Sequence, residues 1–293
     1  MEIRWDWLQP LMTAPYVPAL GPVHPEAVTA GLLADVIEVA GTGRFLPHDK
    51  DRRWGRRKDE QVLPGAITQE PGLILIPTLS TRRSSCIKIH IYSRQPGGIL
   101  DRAADLGRQL CEEHAAGKGR LFWFLPPGSA PDPVAACTRI QMRIFETRHN
   151  SLAPDQGVVP LHEVAPPVRA TFSVFAEKLT AEGFAFLDAR IRQGGTGPVL
   201  TCQRDGGIVG AIGPMEIMPD SSGAAQLLPQ YFGVLPGYRG LGLGRSLWRA
   251  AMQWGQQYRA AYQLLRTEVD GASDRLCRSE GLRDLGLVCT TTI

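Results

Sequence analysis

Residues 231–248 read YFGVLPGYRGLGLGRSLW, with five glycines, two arginines and a proline between two apolar runs. Glycine adopts positive φ cheaply, and without a Cβ its backbone amides can approach a ligand closely. Such a stretch is suited to holding phosphate, and three patterns compete for it. A Walker loop needs Lys followed by Ser or Thr after its last glycine, but here Arg245-Ser246 follow and the spacing fails. A dinucleotide fingerprint needs G-x-G-x-x-G, whereas this run is Gly240-x-Gly242-x-Gly244 with Arg245 and Ser246 where further glycines would fall. The third pattern, R-x-x-G-x-G after a strand and before a helix, is met by Arg239, Gly242 and Gly244, with Pro236 ending the strand.

Outward from this block, apolar periodicity predicts the neighbouring elements. Leu243, Leu247, Ala250, Ala251 and Trp254 would form one helical face, and AAQLLPQYFGVL (224–235) a strand before it. ATFSVFAEKLTAEGFAFLDARIRQG (170–194) reads as helix, and PVLTCQRDGGIVGAIGPMEIM (198–218) as two β-rich runs around Asp205-Gly206-Gly207. A glycine-bearing tight turn there favours a hairpin. YQLLRTEV (262–269) is a strand, Ser273 a candidate N-cap for a short helix, and LVCTTTI (287–293) the last strand. The order is helix, hairpin, strand, helix, strand, helix, strand.

The first half repeats part of that order. SSCIKIHIY (84–92) reads as strand, GILDRAADLGRQLCEEHAAGKG (98–119) as amphipathic helix and RLFWFLPPG (120–128) as strand. Leu121 would then correspond to Leu264, a weak repeat resting on element order and not on identity. The proline-rich stretch LAPDQGVVPLHEVAPPV (152–168) suits an exposed linker.

The 293 residues carry a formal net charge of +3, with 43% hydrophobic and 21% charged residues, as in an ordinary soluble protein. The basic residues are spread along the chain, which argues against a dedicated nucleic-acid binder. Six cysteines (Cys86, Cys111, Cys137, Cys202, Cys277, Cys289) lie far apart without C-x-x-C pairs or nearby histidines, so neither a zinc site nor a disulfide framework is expected. The N-terminus MEIRWDWLQP has acidic residues and no apolar core, so it does not read as a signal peptide. No apolar run approaches the ~20 residues of a membrane span. A cytoplasmic protein with reduced thiols, no metal and no membrane partner is the expectation.

The block FGVLPGYRGLGLGRSLWRAAM (232–252) resembles the GNAT acyltransferase superfamily, since strand, proline, arginine, glycines and helix agree together. The resemblance covers about residues 166–293, and the hairpin CQRDGGIVGAIG is similar to the family's second and third strands. It implies an α+β fold of two GNAT-like domains, each a mixed, mostly antiparallel twisted sheet flanked by helices. The domains would be 1–151, a degenerate copy, and 169–293, the acyltransferase copy. The corresponding turn of the first copy, SRQPGGILDRA (93–103), lacks the fitted R-x-x-G-x-G cradle. That copy would shape the acceptor pocket or a homodimer.

The resemblance also implies coenzyme A as the owner of the diphosphate. Phe232, Gly233 and Val234 would line the pantetheine arm, while Arg239, Gly240, Leu241, Gly242, Leu243, Gly244 and Arg245 would wrap the diphosphate at a helix N-terminus. Acyl transfer to an amine needs a base, a donor to the developing oxyanion and a group to protonate the departing thiolate. The Val234 N–H is the family-type oxyanion donor. Glu268 is the first choice of base, with burial at a strand splay expected to raise its pKa. Glu216 and then Asp270 follow it.

A tyrosine usually supplies the acid on the last helix of such proteins, but ASDRLCRSEGLRDLGL (272–287) offers Cys277 or Leu282 in its two registers. The acid could then be Cys277, Tyr231 or water. Asp274 stands where the family usually carries an asparagine that contacts cofactor.

The expected activity is N-acyl transfer, of the EC 2.3.1 type, from acetyl-coenzyme A or another acyl-coenzyme A to the amine of a small metabolite. Two rivals stay open: a donor thioester on an acyl carrier protein in natural-product assembly, and a non-catalytic acyl-coenzyme A-binding module. The basic cluster RRWGRRK (52–58) could dock an acidic carrier protein, although a solvated loop is the plainer reading. His149 and His162 flank the linker without a G-x-S-x-G motif, so a hydrolase triad has no support. Phe122, Trp123 and Phe124 read as core, as do Cys202 and Cys289.

Overall fold

A computed structural model describes residues 3–39, 41–81, 84–145 and 157–293. In chain order the elements that matter here are β1 (Glu60–Val62), β2 (Leu73–Ser80), β3 (Cys86–Tyr92), α1 (Leu100–Glu113), β4 (Lys118–Leu125) and β5 (Ala136–Ile144). There follow β6 (Val158–Pro160), α2 (Phe172–Lys178), α3 (Phe184–Gln193), β7 (Leu200–Arg204), β8 (Gly207–Gly213), β9 (Ala225–Leu227) and β10 (Tyr231–Val234). The chain ends with α4 (Leu243–Gln257), β11 (Tyr262–Glu268), α5 (Ala272–Ser279) and β12 (Arg283–Thr292). The class is α+β, with a mixed sheet flanked by helices.

Two compact units form, and they do not follow the linear halves of the sequence. The first contains 1–143, 219–223 and 264–293; the second contains 144–218 and 224–263. The last strand and helix, expected in a C-terminal domain spanning 169–293, thus belong to the first unit.

In the first unit β11 borders β5, and from there the strands run β5-β12-β4-β3-β2-β1. β3 and β4 are parallel, as the α1 crossover between them requires, and the other neighbours are antiparallel. β12 lies between β4 and β5. One face is apolar: Ile87, Ile89, Ile91, Leu121, Trp123, Leu287 and Cys289 pack against Ala103, Ala104 and Leu110 of α1. Gly107 lets the helix close on the sheet, since a Cβ there would collide with Ile293.

The opposite face carries His90, Tyr92, Phe122 and Phe124 against Tyr16. The Tyr16 ring centroid lies 5.9 Å from that of His90 and 5.1 Å from that of Phe124. His90 is fully buried, its Nδ1 lies 3.1 Å from the Ile76 carbonyl, and burial pushes its pKa down to about 4.

In the second unit the strands run β10-β8-β7-β6, antiparallel throughout. The β7–β8 turn is the expected hairpin, with Asp205 and Gly206 at φ 51° and 73°. Helices α2 and α3, with Leu179 between them, cover one face through Phe172, Phe175, Phe184 and Leu187. The single helix expected over 170–194 is broken at Leu179–Gly183, because Gly183 sits at φ +89° and a Cβ there would collide with the Tyr231 ring. Helix α4 takes the other face, where a Cβ on Gly210 would meet Leu247 at 3.0 Å. Its buried stripe is Leu243, Leu247, Trp248, Ala251 and Met252, while Ala250 and Trp254 lie at the margin of that stripe. Trp254 stacks on Tyr258 at 4.3 Å.

Two further expectations change. The stretch 224–235 is two strands interrupted around Pro229, which has no N–H to continue a ladder. Of the linker expected over 152–168, residues 152–156 lie outside the described residues, as does His149. The remainder is structured: Val158 and Val159 pair with Cys202 and Thr201, and Leu161 and Val164 are buried.

Candidate functional site

The second unit presents an open strand edge beside an uncapped helix. β10 ends its sheet, with β8 as its neighbour through Gly210↔Val234, Ala211↔Gly233, Ile212↔Phe232 and Gly213↔Tyr231. One residue past the strand, the Leu235 N–H donates to the Val209 carbonyl at 2.9 Å. Hydrogen-bonded and non-bonded pairs alternate in an antiparallel ladder. The amides of Tyr231, Gly233 and Leu235 therefore point at β8, and those of Phe232 and Val234 point away, to the open edge. The Val234 carbonyl agrees with this parity, because it accepts from Arg239 Nε at 2.9 Å.

The chain then makes a tight turn over Pro236–Tyr238, closed by Arg239 N–H to Pro236 O at 3.2 Å. Gly240 and Gly242 stand at φ +81° and +80°, and a Cβ on either would have nothing within 4 Å. Both glycines are thus required by conformation, and both face open space. Gly242 is the N-cap residue of α4, and the first helical bond runs from Ser246 N–H to Gly242 O at 3.1 Å. The amides of Leu243, Gly244 and Arg245 have no acceptor within the helix. No side chain caps this end, and its first turn has no carboxylate. The helix dipole adds positive potential there. At Gly244 a Cβ would lie 3.4 Å from Phe232 Cζ, so the helix start sits directly against the β10 edge. These features fit an anion such as a diphosphate.

Residues 167–278 match the family model described as Acetyltransferase (GNAT) family. This segment is a GNAT acetyltransferase domain. A comparison with curated proteins finds no match. Among solved structures the chain is similar to a GCN5-related N-acetyltransferase from Sphaerobacter thermophilus, at 11% identity and TM-score 0.49, covering 88% of this chain and 93% of that one. It is also similar to a tandem GNAT protein from the clavulanic acid biosynthesis pathway, at 14% identity and TM-score 0.46, covering 98% and 93%. A GCN5-related N-acetyltransferase from Kribbella flavida shares 16% identity at TM-score 0.45, covering 77% and 89%.

Within the GNAT segment the expected residues separate by strand alternation. Phe232 and Val234 face α4, whereas Tyr231 and Gly233 face α2 and α3. The Tyr231 ring lies 6.3 Å from those of Phe184 and Phe186. A Cβ on Gly233 would meet Leu179 and Phe184 at 2.9 Å. Tyr231, considered as an acid, is therefore on the opposite sheet face from Phe232 and Val234. Arg239, expected on the diphosphate, is instead occupied in fastening the turn, through Val234 O and an ion pair with Glu182 at 3.5 Å. Leu241, at 66% exposure, is the tip of the turn, and Arg245 is exposed at the helix start. Glu216 is half-buried and accepts from Gly197 N–H at 3.2 Å.

The remaining expected residues belong to the first unit. Glu268, at the end of β11, is exposed and not buried as expected. Asp270 is exposed on a turn at φ +57°. Asp274 does not present itself to a cofactor: it is 0% exposed, and its oxygens accept from Arg139 Nε (3.1 Å), Gln141 Nε2 (2.6 Å), Thr267 Oγ1 (3.4 Å) and Asp270 N–H (3.0 Å). It fastens the start of α5 to β5 and to the end of β11, a role no sequence spacing announces. Cys277 is buried, and burial with the nearby Asp274 pushes its pKa up to about 12, which makes it a poor acid for a departing thiolate. The helix it sits on is capped at Gly271, and Ser273 lies inside it.

The basic run 52–58 is partly consumed locally. Lys58 pairs with buried Asp49 at 2.5 Å, Arg52 donates to Pro47 O at 2.6 Å, and Arg53 lies over Trp54 at 4.5 Å. His162 is exposed beside Glu163 at 3.5 Å. Among the described residues no group of three metal-ligating side chains occurs, and no helix is long and apolar enough to cross a membrane.

Proposed function

We propose that the chain is an N-acyltransferase that takes an acyl group from acyl-coenzyme A, acetyl-coenzyme A first among them, and passes it to the amine of a small metabolite. The observation that carries this reading is the outward amide of Val234 on an open strand edge, beside an uncapped α4 with two positive-φ glycines. A bound acyl-coenzyme A supplies an activated thioester carbonyl. The amides from Gly242 to Arg245 hold diphosphate, and Phe232 and Val234 line the arm that leads from it. The Val234 N–H donates to the carbonyl oxygen as negative charge develops there, and being fixed by the strand it needs no reorganisation. Glu268 takes the proton from the amine; an exposed carboxylate does this best with an amine that arrives partly neutral. Water protonates the leaving thiolate, because Cys277 is buried.

The first half is a degenerate copy of the same unit. β3, α1 and β4 correspond to β10, α4 and β11, but β3 is paired on both sides, with β2 and, from Cys86↔Lys118 to Ile91↔Trp123, with β4. Its edge amides are consumed in the sheet, and it has no place for a pantetheine arm.

Thiol release from acetyl-coenzyme A, assayed over a panel of amines, tests the activity. Turnover by the wild type and a loss of about 10²-fold or more in kcat/KM on Glu268→Gln is expected. Coenzyme A binding without thiol release from any amine would leave a binding module. Turnover with a loaded carrier protein alone would move the donor to that carrier.

A further inference from the structure

We propose that Cys137 and Cys289 form a redox-sensitive pair: a peroxide joins them in a disulfide that ties the last strand to β5, and a thiol reductant releases it. This is independent of the acyl-transfer reading. All six cysteines are free thiols. The structure sets Cys289 of β12 directly opposite Cys137 of β5. Two hydrogen bonds fix which kind of pair this is. The Val269 N–H donates to the Cys137 carbonyl at 3.2 Å, so Cys137 turns its backbone groups toward β11 and away from β12. The Ile293 N–H donates to the Gly119 carbonyl of β4 at 3.0 Å. By alternation along β12, Cys289 also turns its backbone groups toward β4 and away from β5. Both strands thus give a non-hydrogen-bonded pair, in which Cα atoms stand about 4.5 Å apart and side chains come closest. A disulfide spans about 4.4–6.8 Å between Cα atoms, so the backbone is already in place.

The two side chains share the apolar face beneath α1, and the Cys289 thiol is hydrogen-bonded to Cys137. Cys289 is 0% exposed, and burial together with that bond pushes its pKa up to about 12, so it is not the sulfur a peroxide meets first. Cys137 is 9% exposed, its Sγ 3.9 Å from the Asp132 carbonyl in the loop before β5. Its sulfur attacks one peroxide oxygen, the O–O bond breaks, and a sulfenic acid and a water form. The Cys289 sulfur then attacks the sulfenic sulfur and the S–O bond breaks. The departing hydroxide takes the Cys289 proton and leaves as a second water. Two thiols lose two electrons, and the peroxide gains them. Burial slows both steps, but contact between the sulfurs makes the second one intramolecular. The new bond closes a loop of about 150 residues and so removes freedom from the unfolded chain.

The test uses the full chain, reduced and then treated with hydrogen peroxide under native conditions, its remaining thiols blocked, and digested without reductant. The expected product is a linked peptide pair containing Cys137 and Cys289, lighter by two hydrogens than the separate peptides and absent after dithiothreitol. The melting temperature of the oxidised chain should rise by about 5 °C or more and fall back on reduction. Cys137→Ser and Cys289→Ala should each lose both the linked peptide and the rise, with circular dichroism before oxidation reporting that each is folded. Cys86 and Cys111 are half-buried, and their oxidation shows that the peroxide acted. A folded wild type that oxidises Cys86 and Cys111 but leaves Cys137 reduced, or carries it to sulfinic acid without the link, overturns the proposal. So does a link that leaves the melting temperature unchanged or lower, or a rise that persists in both variants.

Discussion

At the scale of single residues, the molecule separates groups that hold structure from groups that face a ligand. Asp274, placed by resemblance on a cofactor, is a buried junction with four donors. Glu268, expected to be buried, is exposed. Neither outcome is visible in the sequence, because the partners of Asp274 on β5 lie more than 130 positions away. His90 offers a test of the interior.

Its ring is buried among Tyr16, Phe122, Glu60 and Lys88, and its pKa is lowered to about 4, by burial first. The unfolded chain takes up this proton near pH 6.5, whereas the native state resists until about pH 4. His90 therefore costs nothing above pH 6.5 and destabilises progressively as pH falls toward 4. The loss attributable to it between pH 7 and pH 5 is about 2 kcal/mol. Urea melts should show His90→Phe less stable than wild type at pH 7, by about 1 kcal/mol for the lost hydrogen bond to Ile76. By pH 5 the difference should shift about 2 kcal/mol toward the variant. An unchanged difference would contradict the assignment.

At the scale of elements, the site is one strand edge and one helix end. The glycine run and Pro236 announced both, because positive φ and a missing amide proton are properties of residue type that read directly from sequence. The Asp205–Gly206 hairpin was legible for the same reason. Breaks were harder: Pro229 and Gly183 divide runs whose apolar spacing continues across them, and the tertiary contact at Tyr231 is what demands glycine at position 183. The parity of β10 yields a sharp experiment. Val234→Pro deletes one outward amide on an edge strand, where proline is tolerated. Turnover should fall about 10²–10³-fold while coenzyme A affinity changes far less. Equal losses in both, or no loss in turnover, would remove Val234 as the oxyanion donor.

At the scale of the whole molecule, linear order and spatial grouping disagree. Residues 264–293 complete the sheet that residues 60–144 begin, with β12 between β4 and β5. Strand pairing at a separation of about 150 residues leaves no local signature, so the sequence suggested two consecutive domains where contacts form an interleaved pair. A fragment of residues 169–293 leaves β12 without either neighbour and exposes Leu287, Val288 and Cys289, all buried in the intact chain. Such a fragment should be insoluble or lack a cooperative thermal transition in circular dichroism; a soluble fragment with a sharp transition would restore the consecutive division.

The central claim, that amides between Arg239 and Arg245 grip the diphosphate of coenzyme A, is tested most directly by calorimetric titration of coenzyme A into the wild type and Gly242→Val. Valine at φ +80° is strained, and its side chain projects into the space the ligand would fill. The expected result is one site per chain in the wild type, since β3 is closed by β4, and affinity at least about tenfold weaker in the variant, or 1.4 kcal/mol. No heat of binding in the wild type, two equivalent sites, or undiminished affinity in Gly242→Val would contradict it.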